Sequence, residues 1–408
     1  MRERLISIIS AVAVSCVLIF IGCSSRKANL LNNVKPPLKT KKEESPYKKY
    51  GYNIDVGLSK YKNKLKSAST QNVKIYCIGE SNTRGEYSSD EVNKSWVGVM
   101  KSSLQNQYGN AGEGFISIYE GALPTGTKGR WRLGNGWSVS GAARESISNV
   151  GGFGGCFGIS NKNTSPVALT FTGTGLDLLY AKAKDGGTAT VAIDGKEVGT
   201  INCLDESLSF SNKVSYSGLS NTTHTVVITP NTTSNVFIEG AIASSNRVGI
   251  EVDKIAISSK VASYFNTPLT KKVWDTLSEP DLVLLSFGIN EAGRGISVED
   301  FKTNMIGLVT YWQGRGSNVC LVPNQKPADS WTKNWSAYVT SMYEIADTYN
   351  TGIIDIYKAY YEDYTAAQKL GLFGMAINDY SGGSGTNTAH LSDKGYKYIG
   401  DVIYSNLQ

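Results

Sequence analysis

Three short segments carry residue types that together can cleave an ester. Gly79-Glu80-Ser81-Asn82-Thr83-Arg84-Gly85 directly follows an apolar run, so Ser81 stands in the turn that leaves a strand. A hydroxyl there can be exposed at a sheet's rim with its own N–H aimed into the same space. Phe287-Gly288-Ile289-Asn290-Glu291-Ala292 also ends an apolar run. Gly288 lets the backbone turn close to a ligand, and the Asn290 amide can donate to a developing oxyanion. Thr388-Ala389-His390-Leu391-Ser392-Asp393-Lys394-Gly395-Tyr396 precedes the last amphipathic segment and puts His390 where a general base can project. Taken singly, Ser81 is a loop serine and His390 a helix-start residue. Together, each at a sheet rim and in this order, they supply a nucleophile, an oxyanion donor and a base.

Composition narrows the chemistry further. The chain has 408 residues with two histidines, His224 and His390, and six cysteines without a close pair. That leaves too few ligands for a zinc or iron–sulfur site, so a metal-centred mechanism is not expected; no cofactor is assigned. The net charge of +6 is not a nucleic-acid signal, because residues 23–70 alone carry +9 and residues 71–408 carry −4. No basic globular surface for a duplex remains, and no nucleic-acid partner is expected.

The elements that must position these groups read as α/β on both sides of an all-β stretch. Val73-Lys74-Ile75-Tyr76-Cys77-Ile78-Gly79 predicts a strand, and Trp96, Val99, Met100 and Leu104 mark one face of a helix after it. Residues 282–287 are a continuous apolar run suited to a parallel strand buried on both faces. A helix with Phe301, Met305, Leu308, Val309 and Trp312 follows, then a strand over 318–322, a helix over 331–348, a strand over 352–356 and a helix over 393–406. This alternation predicts a doubly wound parallel sheet with its site at the carboxyl ends of the strands. Between them, 167–171, 176–180, 188–193, 224–229 and 235–239 are β-type runs bounded by turns such as Asp194-Gly195. They predict an inserted sandwich or jelly roll over 128–252, splitting the α/β domain into 70–127 and 253–408. His224 is expected to be structural. Tyr180, Tyr216, Trp131 and Trp137 are candidate sugar contacts if exposed, and core if not.

The N-terminus reads as an export signal: Arg2 and Arg4 precede an apolar stretch ending at Phe20-Ile21-Gly22-Cys23-Ser24-Ser25. The ending resembles the lipobox of bacterial lipoproteins, which implies cleavage after residue 22 and a lipid on the Cys23 thiol. An uncleaved membrane helix is the alternative, since about 18 apolar residues are near the minimum for spanning. Either way the remainder lies outside the cytoplasm, held at the membrane. Residues 23–69, rich in Lys, Asn and Ser, read as a flexible tether. Of the other cysteines, Cys77 and Cys320 are expected in the core.

The three segments, with residues 70–128 and 252–408 around them, resemble the SGNH or GDSL hydrolases, whose fold is a flavodoxin-like doubly wound sheet. The insertion, Asn110-Ala111-Gly112-Glu113-Gly114-Phe115 and Asn290-Glu291-Ala292 are similar to one branch, extracytoplasmic peptidoglycan O-acetylesterases with an inserted carbohydrate-binding-like jelly roll. The resemblance implies a carbohydrate O-acetylesterase acting on an O-acetylated glycan: Ser81 as nucleophile, His390 as base, and Asn290 with backbone donors at Ser81, Ser259 and Gly288 as oxyanion hole. Three positions depart from the pattern. Glu80 replaces an Asp, Ser259 falls where the branch has a glycine, and Asn387 replaces the Asp three residues before the histidine. An Asn oxygen can orient the imidazole but cannot stabilise imidazolium as a carboxylate does. Asp379 supplying the charge, a Ser–His dyad, and impaired catalysis remain the three readings of that change. An O-acetyltransferase on the same scaffold and a weakly catalytic glycan-binding lipoprotein are the alternative functions. Nothing in the residues points to an oligomeric state.

Overall fold

The computed structural model describes residues 45–122, 129–140, 151–332, 334–374 and 389–408. The segment read as an export signal, Cys23, the part of the expected tether up to residue 44, Asp379 and Asn387 lie outside the described residues.

The strands of the first sheet run in the order Gly51–Tyr52, Gly352–Ile354, Asn318–Leu321, Leu282–Ser286, Val73–Gly79, Ile250–Ala256. All neighbours are parallel except the edge pair Gly51–Tyr52 with Gly352–Ile354. Taking the five parallel strands in chain order, the sequence across the sheet is 2-1-3-4-5, with the reversal between Val73–Gly79 and Leu282–Ser286. Two buried faces explain the apolar runs: Val73, Ile75 and Cys77 feed one core with Met100, Leu104, Ile399 and Ile403. Tyr76 and Ile78 point the other way, into a core with Met305, Trp312 and Met342. Three of the longer helices begin at a serine whose hydroxyl caps them. Ser95 Oγ accepts from the Gly98 N–H before Trp96–Tyr108, Ser297 from Asp300 before Val298–Gly314, and Ser392 from Gly395 before Asp393–Leu407.

Among the described residues a second sheet has nine strands, all their pairings antiparallel. Its two longest members, Val167–Lys182 and Ser209–Pro230, pair over most of their length. The two strands expected over 167–171 and 176–180 are thus one, with the register shift between Ser217 and Thr222 falling opposite Gly173 and Gly175. The limits of the sheet also differ from 128 and 252. Gly112–Ser117 already pairs with Phe237–Ser244, and Ile250–Ala256 belongs to the parallel sheet. Glycine-rich Gly112–Ser117 hides its strand character because Gly114 takes φ +71° and packs against Val252, leaving few side chains to show alternation. The apolar core is continuous between the sheets, Tyr76 meeting Phe153 edge to face.

The tether reading of residues 45–69 is corrected. Ser59–Leu65 is a helix with Tyr61 and Leu65 buried beside Leu58, and Gly51–Tyr52 extends the parallel sheet at its edge. Spacing of 58, 61 and 65 is one helical stripe, masked in composition by the lysines on the opposite face. His224, buried, sets Nδ1 2.6 Å from Asp194 Oδ2 and Nε2 2.8 Å from the Ser220 carbonyl, pinning a strand turn as expected. Cys77, Cys156, Cys203 and Cys320 are free thiols in the interior.

Candidate active site

The turn that carries Ser81 is built by close approach. An atom at the Cβ position of Gly79 would lie 2.1 Å from Thr83 Oγ1 and 2.7 Å from the Ser286 carbonyl oxygen. Only glycine lets the strand end pass between its neighbours. Gly79→Ala is therefore expected to lower stability by about 1–3 kcal/mol, read as a lower urea midpoint with unchanged slope. Beyond it Glu80 caps the short helix Ser81–Arg84, its Oε2 accepting the Asn82 N–H at 3.1 Å. The same oxygen is 2.7 Å from Ser81 Oγ, while Glu80 Oε1 accepts from the Asn324 amide at 3.2 Å. Burial pushes the Glu80 carboxyl up to about 7, against the hydrogen bonds that favour its charge.

His390 Nε2 lies 2.9 Å from Ser81 Oγ, across 309 positions of chain. The serine hydroxyl, with one proton to give, thus stands between two acceptors. Several groups hold the ring there. Gln325 Nε2 donates to Asn82 Oδ1 at 3.2 Å and to the Ala389 carbonyl at 2.8 Å, tying the serine turn to the residue before His390. The Tyr87 ring meets the imidazole edge to face at 4.9 Å. Glu86 Oε2 is 3.7 Å from Nε2. Burial lowers the His390 pKa from its ordinary value; Glu86 raises it and Arg84 lowers it further. A histidine biased this way is neutral at pH 7, the form a base needs.

At the next strand over, Gly288 takes φ +112° and Glu291 closes the turn, its carboxylate accepting the Gly288 N–H at 3.0 Å and the Ala262 N–H at 2.6 Å. Gly288 is thereby removed as an oxyanion donor: its N–H is already held, and its part is the turn itself. Asn290 is buried, and its amide nitrogen donates one proton to the Lys260 carbonyl at 2.9 Å. The second proton of that nitrogen remains to be donated. Ser259 takes φ +62°, the left-handed region, which accounts for a glycine being expected there, and its carbonyl accepts from the Arg294 guanidinium. Among the described residues, no acceptor engages the N–H of Ser81 or of Ser259.

Ser81, His390 and the Glu80–Asn324–Gln325 set are brought together, with Asn290 and Ser259 joined through Lys260 at the neighbouring strand ends. Asn324 and Gln325 escaped the sequence reading. Their only signal is two polar residues three and four positions beyond the apolar strand Asn318–Leu321, at the same end of the sheet as Ser81. Trp131 and Trp137 are corrected as sugar contacts: they are 1% and 8% exposed, their indole N–H groups bound to the Ile116 and Ser165 carbonyls. Tyr180 and Tyr216 pack, half buried, against the core. A cavity of about 370 Å³ is lined by Asp90, Asn93, Lys101, Glu113 and Arg130 among others, but its charges face one another, Arg130 to Glu113 at 2.8 Å. Among the described residues no three His, Cys, Asp or Glu side chains converge as metal ligands.

No family model matches the chain, and no curated protein does. Solved structures do. A peptidoglycan O-acetylesterase overlays with a TM-score of 0.64 at 16% identity, covering 87% of this chain and 96% of its own. An acetyl xylan esterase overlaps 38% of this chain and 80% of its own at 16% identity, with a TM-score of 0.31. A lipase/acylhydrolase from Enterococcus faecalis overlaps 38% and 74% at 21% identity, also at 0.31. The first of these overlays shows that this chain, a mixed α/β unit with a parallel sheet together with an antiparallel sheet, shares its fold with a solved peptidoglycan O-acetylesterase over most of both chains.

Proposed function

We infer that the chain is an SGNH-type serine esterase that removes O-acetyl groups from a cell-envelope or extracellular polysaccharide such as peptidoglycan. It acts outside the cytoplasm from a lipid anchor on Cys23, and its antiparallel sheet is the jelly-roll insertion of that branch. The observation that carries the reading is the 2.9 Å approach of His390 Nε2 to Ser81 Oγ at the point where the strand order reverses. Ligands of open α/β sheets bind at such a point.

In this reading Ser81 Oγ attacks the acetyl carbonyl carbon as its proton passes to His390 Nε2. The carbonyl electron pair moves onto oxygen, where the Asn290 amide and the N–H groups of Ser81 and Ser259 receive it. The pair returns, the bond to the sugar oxygen breaks, and that oxygen takes the proton from Nε2. Water then repeats the sequence on acetyl-Ser81, giving acetate and free enzyme. The overlaid peptidoglycan O-acetylesterase fold supports ester chemistry of this class.

The test is acetate release from O-acetylated peptidoglycan and from acetyl xylan by the purified protein, with and without an added oligosaccharide acceptor. Release from peptidoglycan is expected in both conditions. Acetate formed on neither polymer would overturn the esterase, and acetyl appearing on the acceptor in place of acetate would make the protein a transferase.

A further inference from the structure

Proton transfer from Ser81 leaves a cation on a partly buried ring, and Asn387 is neutral where the related pattern has a carboxylate. We propose that Glu86 is the positioning residue that answers this charge: its carboxylate stabilises the imidazolium of His390 from the Nε2 side. The proposal rests on the Ser–His reading above.

Glu86 is fixed by bonds on every polar group it has. Its N–H donates to the Ser81 carbonyl at 3.0 Å, its carbonyl accepts the Tyr396 hydroxyl at 2.9 Å, and its Oε2 accepts the Ser258 hydroxyl at 2.6 Å. Tyr87, next in the chain, is held at φ +66°, a conformation costly for a bulky side chain, with its ring against the imidazole. Such strain persists only where the surroundings over-determine it, and here it sets the two residues around the His390 ring. The distance of 3.7 Å from Oε2 to Nε2 is too long for a hydrogen bond and short for a Coulomb interaction. That separation suits the chemistry. A carboxylate bonded directly to Nε2 would compete for the proton that must go on to the sugar oxygen, whereas one at this distance lowers the energy of the cation and leaves its N–H directed at Ser81. The proton leaves Oγ as the new carbon–oxygen bond forms, resides on Nε2, and departs with the leaving alkoxide; Glu86 stays ionised throughout.

The other charges around the ring do not cancel Glu86. Arg84 is 3.6 Å from Glu86 Oε1, but it is gripped by Glu91 at 2.8 and 2.9 Å and donates to the Tyr119 hydroxyl at 2.8 Å. Lys254 donates to the Arg84 and Glu91 carbonyls at 3.0 and 2.6 Å. Glu80 faces Ser81, and on the last helix Asp393 is paired with Lys94 at 2.7 Å. Asp379 lies outside the described residues and is the rival source of charge.

The chain's two histidines make the test direct. Proton NMR of the full-length protein gives two imidazole Hε1 signals, that of His390 being the one lost in His390→Ala. In Glu86→Gln the His390 pKa is expected to fall by about one unit, and the acid limb of kcat/KM to move to lower pH by the same amount. The plateau kcat should fall about 10- to 100-fold with KM little changed, and Glu86→Asp should recover part of it. An unmoved His390 titration in folded Glu86→Gln overturns the proposal; an acid limb shifted instead by Asp379→Asn would transfer the role to Asp379. Should Glu86→Gln fail to fold, Ser258→Ala, which releases the carboxylate, should shift the titration in the same direction by less, and no shift there counts against Glu86. The titration needs no turnover, so an absence of esterase activity would sink the proposed function and still leave Glu86 judged by its effect on the ring.

Discussion

Ser81→Ala is expected to reduce acetyl-ester hydrolysis about 10⁴- to 10⁶-fold, and His390→Ala by a similar factor, with the double variant hardly worse than either. The non-additivity follows from the geometry. With Oγ gone the imidazole has no proton to take, and with the imidazole gone the hydroxyl faces only Glu80, whose Oε2 is 2.7 Å away as a hydrogen-bond acceptor of the same proton. Each side chain is therefore useful only in the presence of the other. Steady-state acetate release at saturating substrate checks the size of the loss. The fold should survive both changes. Removing the Ser81 hydroxyl deprives the Glu80 carboxyl of one of three donors and leaves Asn82 and Asn324 in place, a cost on the order of 1 kcal/mol. Far-UV dichroism and a urea midpoint near that of the parent separate lost chemistry from lost structure. A residual rate within about tenfold of the parent in folded Ser81→Ala would show that the nucleophile lies elsewhere.

The strands that carry the site were readable because burial on both faces leaves an apolar run, broken only by Lys74 in Val73–Gly79 and continuous from Leu282 to Leu285 in Leu282–Ser286. Their helices were readable from one-sided stripes such as Phe301, Met305, Leu308 and Trp312. What the pattern did not disclose is pairing. Gly112–Ser117 is a strand through its partner Phe237–Ser244, and Gly51–Tyr52 through Gly352–Ile354; two-residue or glycine-rich strands have almost no side-chain alternation to announce them. The convergence of Ser81 and His390 was legible as residue types at strand ends, and the resemblance to a hydrolase family added their roles. The supporting shell was not. Asn324 and Gln325 each make two buried side-chain hydrogen bonds and Glu86 lies 3.7 Å from the ring nitrogen, and such contacts leave no periodic trace. Gly288 illustrates the converse: the type was right for a tight turn, but whether its N–H was free depended on a carboxylate three residues on, Glu291, folding back onto it.

Asn290→Ala should lower kcat about 10²- to 10³-fold with KM nearly unchanged, the size of effect that follows loss of one preorganised donor to an oxyanion. The amide also bonds the Lys260 carbonyl at 2.9 Å and so steadies the turn that presents Ser259. A structural account of the loss must therefore be told apart from an electrostatic one, and Asn290→Asp does so. Both replacements remove the donor to Lys260 and disturb the turn alike. Only aspartate sets a negative charge beside the oxygen on which negative charge develops in the transition state, so it should be slower than alanine, most clearly above the pH at which the new carboxyl ionises. Ser259→Gly completes the comparison. Glycine takes φ +62° without strain and keeps the backbone N–H, so it should leave the rate near that of the parent and raise stability slightly. Equal rates for Asn290→Ala and Asn290→Asp across pH would mean that the amide braces the turn and stabilises no oxyanion.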